Sequence, residues 1–230
     1  MCGKLSIRLL LLTAIAGGIA TVASADPQVI VTPPAPPGYL LVHEELWTHL
    51  MDETGKHFDR ARDAFLNGHY RTSAIELRKA AVMMRIEASN GQQRADTSLI
   101  QAAHEVETLA QSMLSGKSTD TIDRLDDISA HSLSVLAKHA QWKASVAWNT
   151  RHSHRSGHYL RAAADNLERA AFRARLQMTA ATSNAIRNAR VLSEKLVDGT
   201  DNAVDEINAG IASIGHQIEH FEHVLMRRPE

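Results

Sequence analysis

Between Gly38 and Pro229 the chain contains no proline. Proline removes an amide donor and ends or kinks a helix interior at a cost of about 3 kcal/mol or more. A stretch this long without it leaves long helices as the cheapest way to satisfy the backbone. Ala, Leu, Glu, Arg and Gln, all good helix formers, dominate the same stretch. Apolar residues recur at alternating steps of three and four: Tyr70, Ala74, Leu77, Ala81 and Met84, and later Val204, Ile207, Ile211, Ile214, Ile218, Phe221 and Leu225. Each such stripe gives one helix face to bury, and a repeat close to 3.5 residues favours packing at shallow angles. The fold class expected is all-α: a helical bundle, with a solenoid-like array as the alternative.

Glycine and asparagine supply the left-handed residue that ends a helix. On that basis breaks fall at Asn67-Gly68, Asn90-Gly91, Ser115-Gly116, Ser153 to Gly157 and Asp198-Gly199. They divide the body into about six helices. The triplet Gly68-His69-Tyr70 opens a stretch running to Ala80-Ala81 and Arg85. Gly157-His158-Tyr159 opens another running to Ala170-Ala171 and Arg175, with Leu46 and His49 answered upstream by Leu136 and His139. This reads as a duplicated unit, with halves at about 39–118 and 119–200 and a closing helix at 201–228.

Ahead of the body, Lys4 and Arg8 precede the apolar run Leu9 to Ala16, and Ala23-Ser24-Ala25 offers an A-x-A cleavage site. Residues 1–25 therefore read as a Sec-type signal peptide, and the chain as periplasmic or secreted. Cys2, the only cysteine, lies before the apolar run and would leave with it, so disulfides are not expected. Residues 26–38, DPQVIVTPPAPPG, read as an extended proline-rich leader. No later segment reaches about 18 uninterrupted apolar residues, so no membrane span is expected. Loss of Lys4 and Arg8 leaves 23 basic against 26 acidic side chains, a net charge of −3 with histidine neutral. Such a balance gives no basic footprint for nucleic acid.

The segment Ala64-Phe65-Leu66-Asn67-Gly68-His69-Tyr70, followed by Ala74, Leu77 and Ala80, resembles the small-residue, glycine, aromatic, alanine pattern of tetratricopeptide hairpins. It is also similar to the repeated hairpin of the YfdX family of exported helical proteins. The resemblance covers residues around 61–88 and 150–176. It implies stacked helical hairpins and, through the YfdX association, a role in stress responses.

Thirteen histidines are the compositional oddity. Neutral imidazole binds Zn, Cu or Ni. His216, His220 and His223 fall at i, i+4 and i+7 with Glu219 beside them, which stacks candidate metal ligands along one face of the last helix. With Ile207, Ile211, Ile214 and Ile218 in the core, that face points to solvent. His152, His154 and His158 form a second candidate cluster, read as part of the break before the repeated helix. The arginines at 151 and 155 oppose a cation there and suit an anion equally well. His69 and His158, each before a tyrosine, are candidates to meet at one end of the bundle.

Glu45, His49, Glu53 and His57 run at steps of four, not the Glu-x-x-His of di-iron bundles. Met51, Met83, Met84 and Met113 leave a lesser reading as a haem-binding bundle, although no Cys-x-x-Cys-His is present. Trp47, Trp142 and Trp148 are expected in packing. There is no nucleophile elbow, phosphate-binding glycine loop or His-Glu-x-x-His pair, so the chain reads as a non-enzyme. The favoured reading is an exported protein that binds a transition metal through surface histidines, in homeostasis or resistance. The alternative is a pH-responsive stress or chaperone-like protein. A metal ion, a second copy of the chain or another envelope protein is the expected partner.

Overall fold

A computed structural model of the chain describes residues 44–89, 96–115, 121–200 and 204–227; the side chains of 44–51 lie outside that description. So do the expected signal peptide at 1–25 and leader at 26–38. Seven helices are present: α1 (Glu44–Leu66), α2 (Tyr70–Ser89), α3 (Thr97–Leu114), α4 (Ile122–Asn149), α5 (Ser153–Arg173), α6 (Ala180–Val197) and α7 (Val204–Met226). No strand occurs among the described residues.

The helices form one all-α bundle in which each packs against the next in sequence. α4 also meets α1, α3 and α7, which makes it the central element. Directions follow from side-chain pairs. Arg62 near the end of α1 meets Asp126 near the start of α4, and Asp126 meets Arg173 at the end of α5. Thr182 and Lys195 of α6 meet Gln217 and Glu206 of α7. Neighbours in sequence therefore run antiparallel, while α1 and α5 run parallel, with Asp52 on Arg169 and Asp59 on Arg173. The core is alanine-rich, with Phe58, Leu77, Met84, Leu99, Leu133, Leu160, Leu167 and Ile214 fully buried among small residues. Alanine seams let backbones approach, and the larger side chains fill what remains.

Seven helices stand where about six were expected because one boundary carries no glycine. α5 stops at Arg173, and Arg175 takes the left-handed conformation at φ 52°. Four helix ends share this device. Gly68, Arg151, Arg175 and Gly199 all have positive φ. In each case the following amide bonds back to the carbonyl five residues earlier: His69 to Ala64 and His152 to Ala147 at 2.8 Å, Leu176 to Ala171 at 3.0 Å, and Thr200 to Lys195 at 3.1 Å. This 6→1 closure is the usual αL termination of a helix, here made twice by arginine.

The turns also separate the two Gly-His-Tyr triplets. The positive-φ turn residue is Gly68 in one case and Arg151, not Gly157, in the other, and five residues on the amides of Ser73 and Ser156 bond to the carbonyls of His69 and His152. The two Gly-His-Tyr triplets are not structurally equivalent. Gly68 occupies a turn, whereas Gly157 is buried in the second turn of α5, and the break expected at Ser153 to Gly157 lies earlier, at 150–152. A Cβ on Gly157 would come within 2.8 Å of the Ser193 carbonyl oxygen, so glycine there sets the close approach of α5 and α6. Tyr70 and Val204, placed on buried stripes by their spacing, are largely exposed at helix starts.

Candidate functional site

Moving the start of α5 back to Ser153 changes the meaning of the second histidine cluster. His154 and His158 are helical residues four apart, hence on one face. Their rings lie 4.5 Å apart between centroids, with planes inclined at 73°. His152 sits at the N-cap position without capping a helix amide, and its Nδ1 lies 3.1 Å from Thr150 Oγ1. It is not brought onto the 154/158 face by any contact among the described residues.

Below this pair a groove of about 300 Å³ runs between α1 and α5, lined by Asp52, His158, Arg161, Asp165, Asn166 and Arg169. Most of its charges are committed. Asp52 Oδ1 accepts from Arg169 Nη1 at 2.6 Å. Burial works against the Asp52 carboxylate, but Arg169 and Lys56 outweigh it and hold its pKa below the ordinary value. Asp165 accepts from Arg190 at 2.6 and 2.8 Å. Arg161 is half exposed and makes only long contacts, 3.9 Å to Asp165 and 3.8 Å to Glu194.

On α7, His216, Glu219, His220 and His223 are all exposed, the face their heptad positions imply. His216 and Glu219 border a shallow groove of about 230 Å³ against α4, with Lys138 and Gln141 opposite. Among the described residues no group of three or more His, Cys, Asp or Glu side chains is gathered so as to hold a metal ion. The side chains present offer pairs of ligands, to be completed from outside the chain.

His69 and His158 do not meet. His69 lies at the α1–α2 turn, near the Asp59–Arg173 end of the bundle, and His158 lies near the opposite end of α5. Fifteen residues of helix, roughly 22 Å at 1.5 Å per residue, separate His158 from Arg173. His57 is paired to Glu76 at 2.7 Å, and Glu53 to Lys56 at 2.9 Å; Glu45 and His49 lie outside the described side chains. Met84 and Met113 are buried in the core, as filler among alanines. Trp148 packs partly on the core, whereas Trp142 is 43% exposed, against expectation.

One polar cluster went unread in the sequence. His139 of α4 is 3% exposed, with Nδ1 2.9 Å from Asp96 Oδ2 at the start of α3 and Nε2 3.4 Å from Glu87 Oε1 at the end of α2. Lys143 donates to Glu87 at 2.9 Å and lies 5.2 Å from the centre of the Tyr159 ring. The signal available was a histidine on an otherwise apolar face of the central helix, flanked four residues on by lysine.

Comparison of the chain with protein-family models, curated proteins and solved structures finds no match.

Proposed function

We propose that this chain is an exported, non-enzymatic helical protein that holds a transition-metal ion on surface histidines, first at the exposed His154 with the half-buried His158 and second along the exposed His216, His220 and His223. The observation that carries it is the His154–His158 geometry. Two imidazoles bound to one cation at about 2.0–2.1 Å, and at right angles around it, have ring centres roughly 4.5 Å apart. The rings already stand 4.5 Å apart. Two imidazoles with open positions beside them fall within the N,O ligand inventory of Cu(II) and Ni(II) as well as Zn(II).

Such a site is bidentate from the protein and leaves coordination positions open, the arrangement of a carrier or buffer that takes up and gives back its ion. The N-terminal pattern of Lys4, Arg8, an apolar run and Ala23-Ser24-Ala25 supports an extracytoplasmic place for that task. The test is thermal unfolding of tag-free protein with Cu(II), Ni(II) and Zn(II). A ligand that binds only the native state raises Tm by mass action, by about 2.7 kcal/mol of stability at a hundredfold excess over Kd. Copper or nickel is expected to raise Tm, and His154→Ala with His158→Ala to remove most of the rise. An unchanged Tm with all three metals ends the proposal.

A further inference from the structure

The metal reading leaves a problem of charge. His154, His158, Arg161 and Asp165 follow one another at i, i+4, i+7 and i+11 and share one face of α5. His158 and Arg161 line the same groove. A divalent ion on the histidine pair would therefore sit beside a guanidinium, and like charges at this range repel. The two carboxylates that line the groove do not relieve this, because Asp52 is engaged by Arg169 and Lys56, and Asp165 by Arg190. Arg161, in contrast, has among the described residues only contacts of 3.8 and 3.9 Å, half its surface in water, and open groove beside it.

On the premise that the metal reading holds, we propose that the α5 site is a joint site for a metal and a small oxyanion. One oxygen of a phosphate or carboxylate fills an open position on the ion held by His154 and His158, and its remaining oxygens accept hydrogen bonds from the Arg161 fork. The anion turns the repulsion between ion and guanidinium into two attractions. Arginine is the side chain suited to it, since its planar fork matches two oxygens at once. A groove of about 300 Å³ admits an anion of this size. The arginine-flanked histidine run, which from the sequence suited a metal or an anion, serves both together.

The experiment is a Cu(II) titration, followed by calorimetry and by the copper EPR spectrum. It uses the full chain carrying His216→Ala, His220→Ala and His223→Ala, so that α5 alone reports. Titrations run in a non-coordinating buffer alone, with inorganic phosphate, and with acetate, and are repeated with Arg161→Gln and Arg161→Lys. Free phosphate or acetate competes for copper, so an indifferent site would show weaker apparent binding in their presence. Tightening by about fivefold or more, at the lower end of ordinary coupling between two ligands, with either anion supports the joint site. The two arms tell phosphate from carboxylate. Arg161→Gln is expected to abolish the tightening, and Arg161→Lys to retain only part of it. No tightening with either anion, or tightening that survives Arg161→Gln, overturns the inference while leaving the metal reading standing. No copper binding that depends on His154 in any buffer removes the metal reading, and the joint site with it.

Discussion

His139 and Asp96 form a buried clamp: Nδ1 of the histidine lies 2.9 Å from Oδ2 of the carboxylate, whose other oxygen accepts from the amides of Ser98 and Leu99. One side chain thus caps α3 and ties its start to the middle of α4. Burial opposes the charge on Asp96 and on Glu87. For Asp96 the bond with His139 and the α3 amides prevail, and for Glu87 the nearby His139 ring and the bond from Lys143 prevail, so both carboxyls are held below their ordinary pKa values.

Depressed carboxyl pKa values contribute stability that is present above the unfolded values, about 3.9 for Asp and 4.3 for Glu. That contribution is lost as pH falls through the lower folded values. The acid transition is therefore expected below about pH 4, with the Glu87, His139 and Asp96 cluster intact between pH 7 and 5, where both depressed carboxyls remain ionised. Circular dichroism and size-exclusion chromatography across pH 7 to 3 check this. A change of size or exposed apolar surface between pH 7 and 5 would instead favour an acid-responsive protein driven by the exposed histidines.

Asp96→Ala removes the cap and one side of the clamp. Loss of a cap alone costs about 1 kcal/mol, range 0.5–2, and the orphaned His139 adds to it. Urea unfolding is expected to show at least this loss at pH 7 and a smaller one at pH 3, below the unfolded carboxyl's ordinary pKa, where part of the charge-linked stability of the wild type is already gone. Equal losses at both pH values would show that the charge on Asp96 plays no part.

At the other end of the bundle Asp126, 3% exposed in its side chain, accepts from Arg62 at 2.8 Å and lies 3.6 Å from Arg173 and 3.4 Å from Arg175. It joins α1, α4 and α5. Asp126→Asn keeps the shape and removes the charge that balances a buried guanidinium. Breaking one side of a buried pair costs about 3–5 kcal/mol, so a fall in Tm of several degrees or outright failure to fold is expected. A change within about 0.5 kcal/mol would mean that Asp59, the other partner of Arg173, suffices alone.

The architecture was legible because it rests on features local to the chain: an absence of proline, apolar spacing, and glycines at Gly68 and Gly199 that do end helices. What escaped was set by tertiary contact. Arg151 and Arg175 end helices by adopting a conformation for which arginine gives no signal, so a boundary at 174–179 was missed and the start of α5 was misplaced. Gly157 looked like a break because spacing cannot distinguish a glycine that turns the chain from one that lets Ser193 come close. Read as a loop, His154 and His158 had no fixed relation; read as helix, they form a pair. The outward face of His216, His220 and His223 was legible because the isoleucines of α7 fix its register. His139 was not, since its meaning depends on Asp96 and Glu87, both more than forty residues away.

Gly157→Val tests the close approach directly. The added atoms would press on the Ser193 carbonyl, the Leu196 Cβ and the Val197 Cγ2, at 2.8, 3.0 and 3.0 Å from the first new carbon. Overpacking of this kind costs about 1–3 kcal/mol, which exceeds the gain of less than about 1 kcal/mol that valine brings over glycine in helix propensity. Because His158 is the next residue, the shift of α5 against α6 is also expected to weaken the copper-induced rise in Tm proposed for the His154–His158 pair. Unfolding free energy and copper-induced Tm shift, measured on the same variant, check both.

Two arginines in left-handed turns give a paired prediction of opposite sign. Arg151 and Arg175 have φ of 62° and 52°, where a Cβ costs roughly 1–2 kcal/mol and glycine pays nothing. Arg151 is exposed, so Arg151→Gly is expected to stabilise the chain, by about 0.5–1 kcal/mol after the greater freedom of glycine in the unfolded state is counted. Arg175→Gly relieves the same strain but loses the contacts of that side chain with Asp123 at 2.9 Å and the buried Asp126 at 3.4 Å. The Asp123 contact is exposed and worth little; the Asp126 contact helps neutralise a buried carboxylate, and its loss should outweigh the relief. For a chain of this size each kcal/mol moves Tm by about 2–4 °C, so thermal unfolding should separate the two variants, Arg151→Gly above wild type and Arg175→Gly below. If both rise together, backbone strain governs these turns and Arg62 and Arg173 alone hold Asp126.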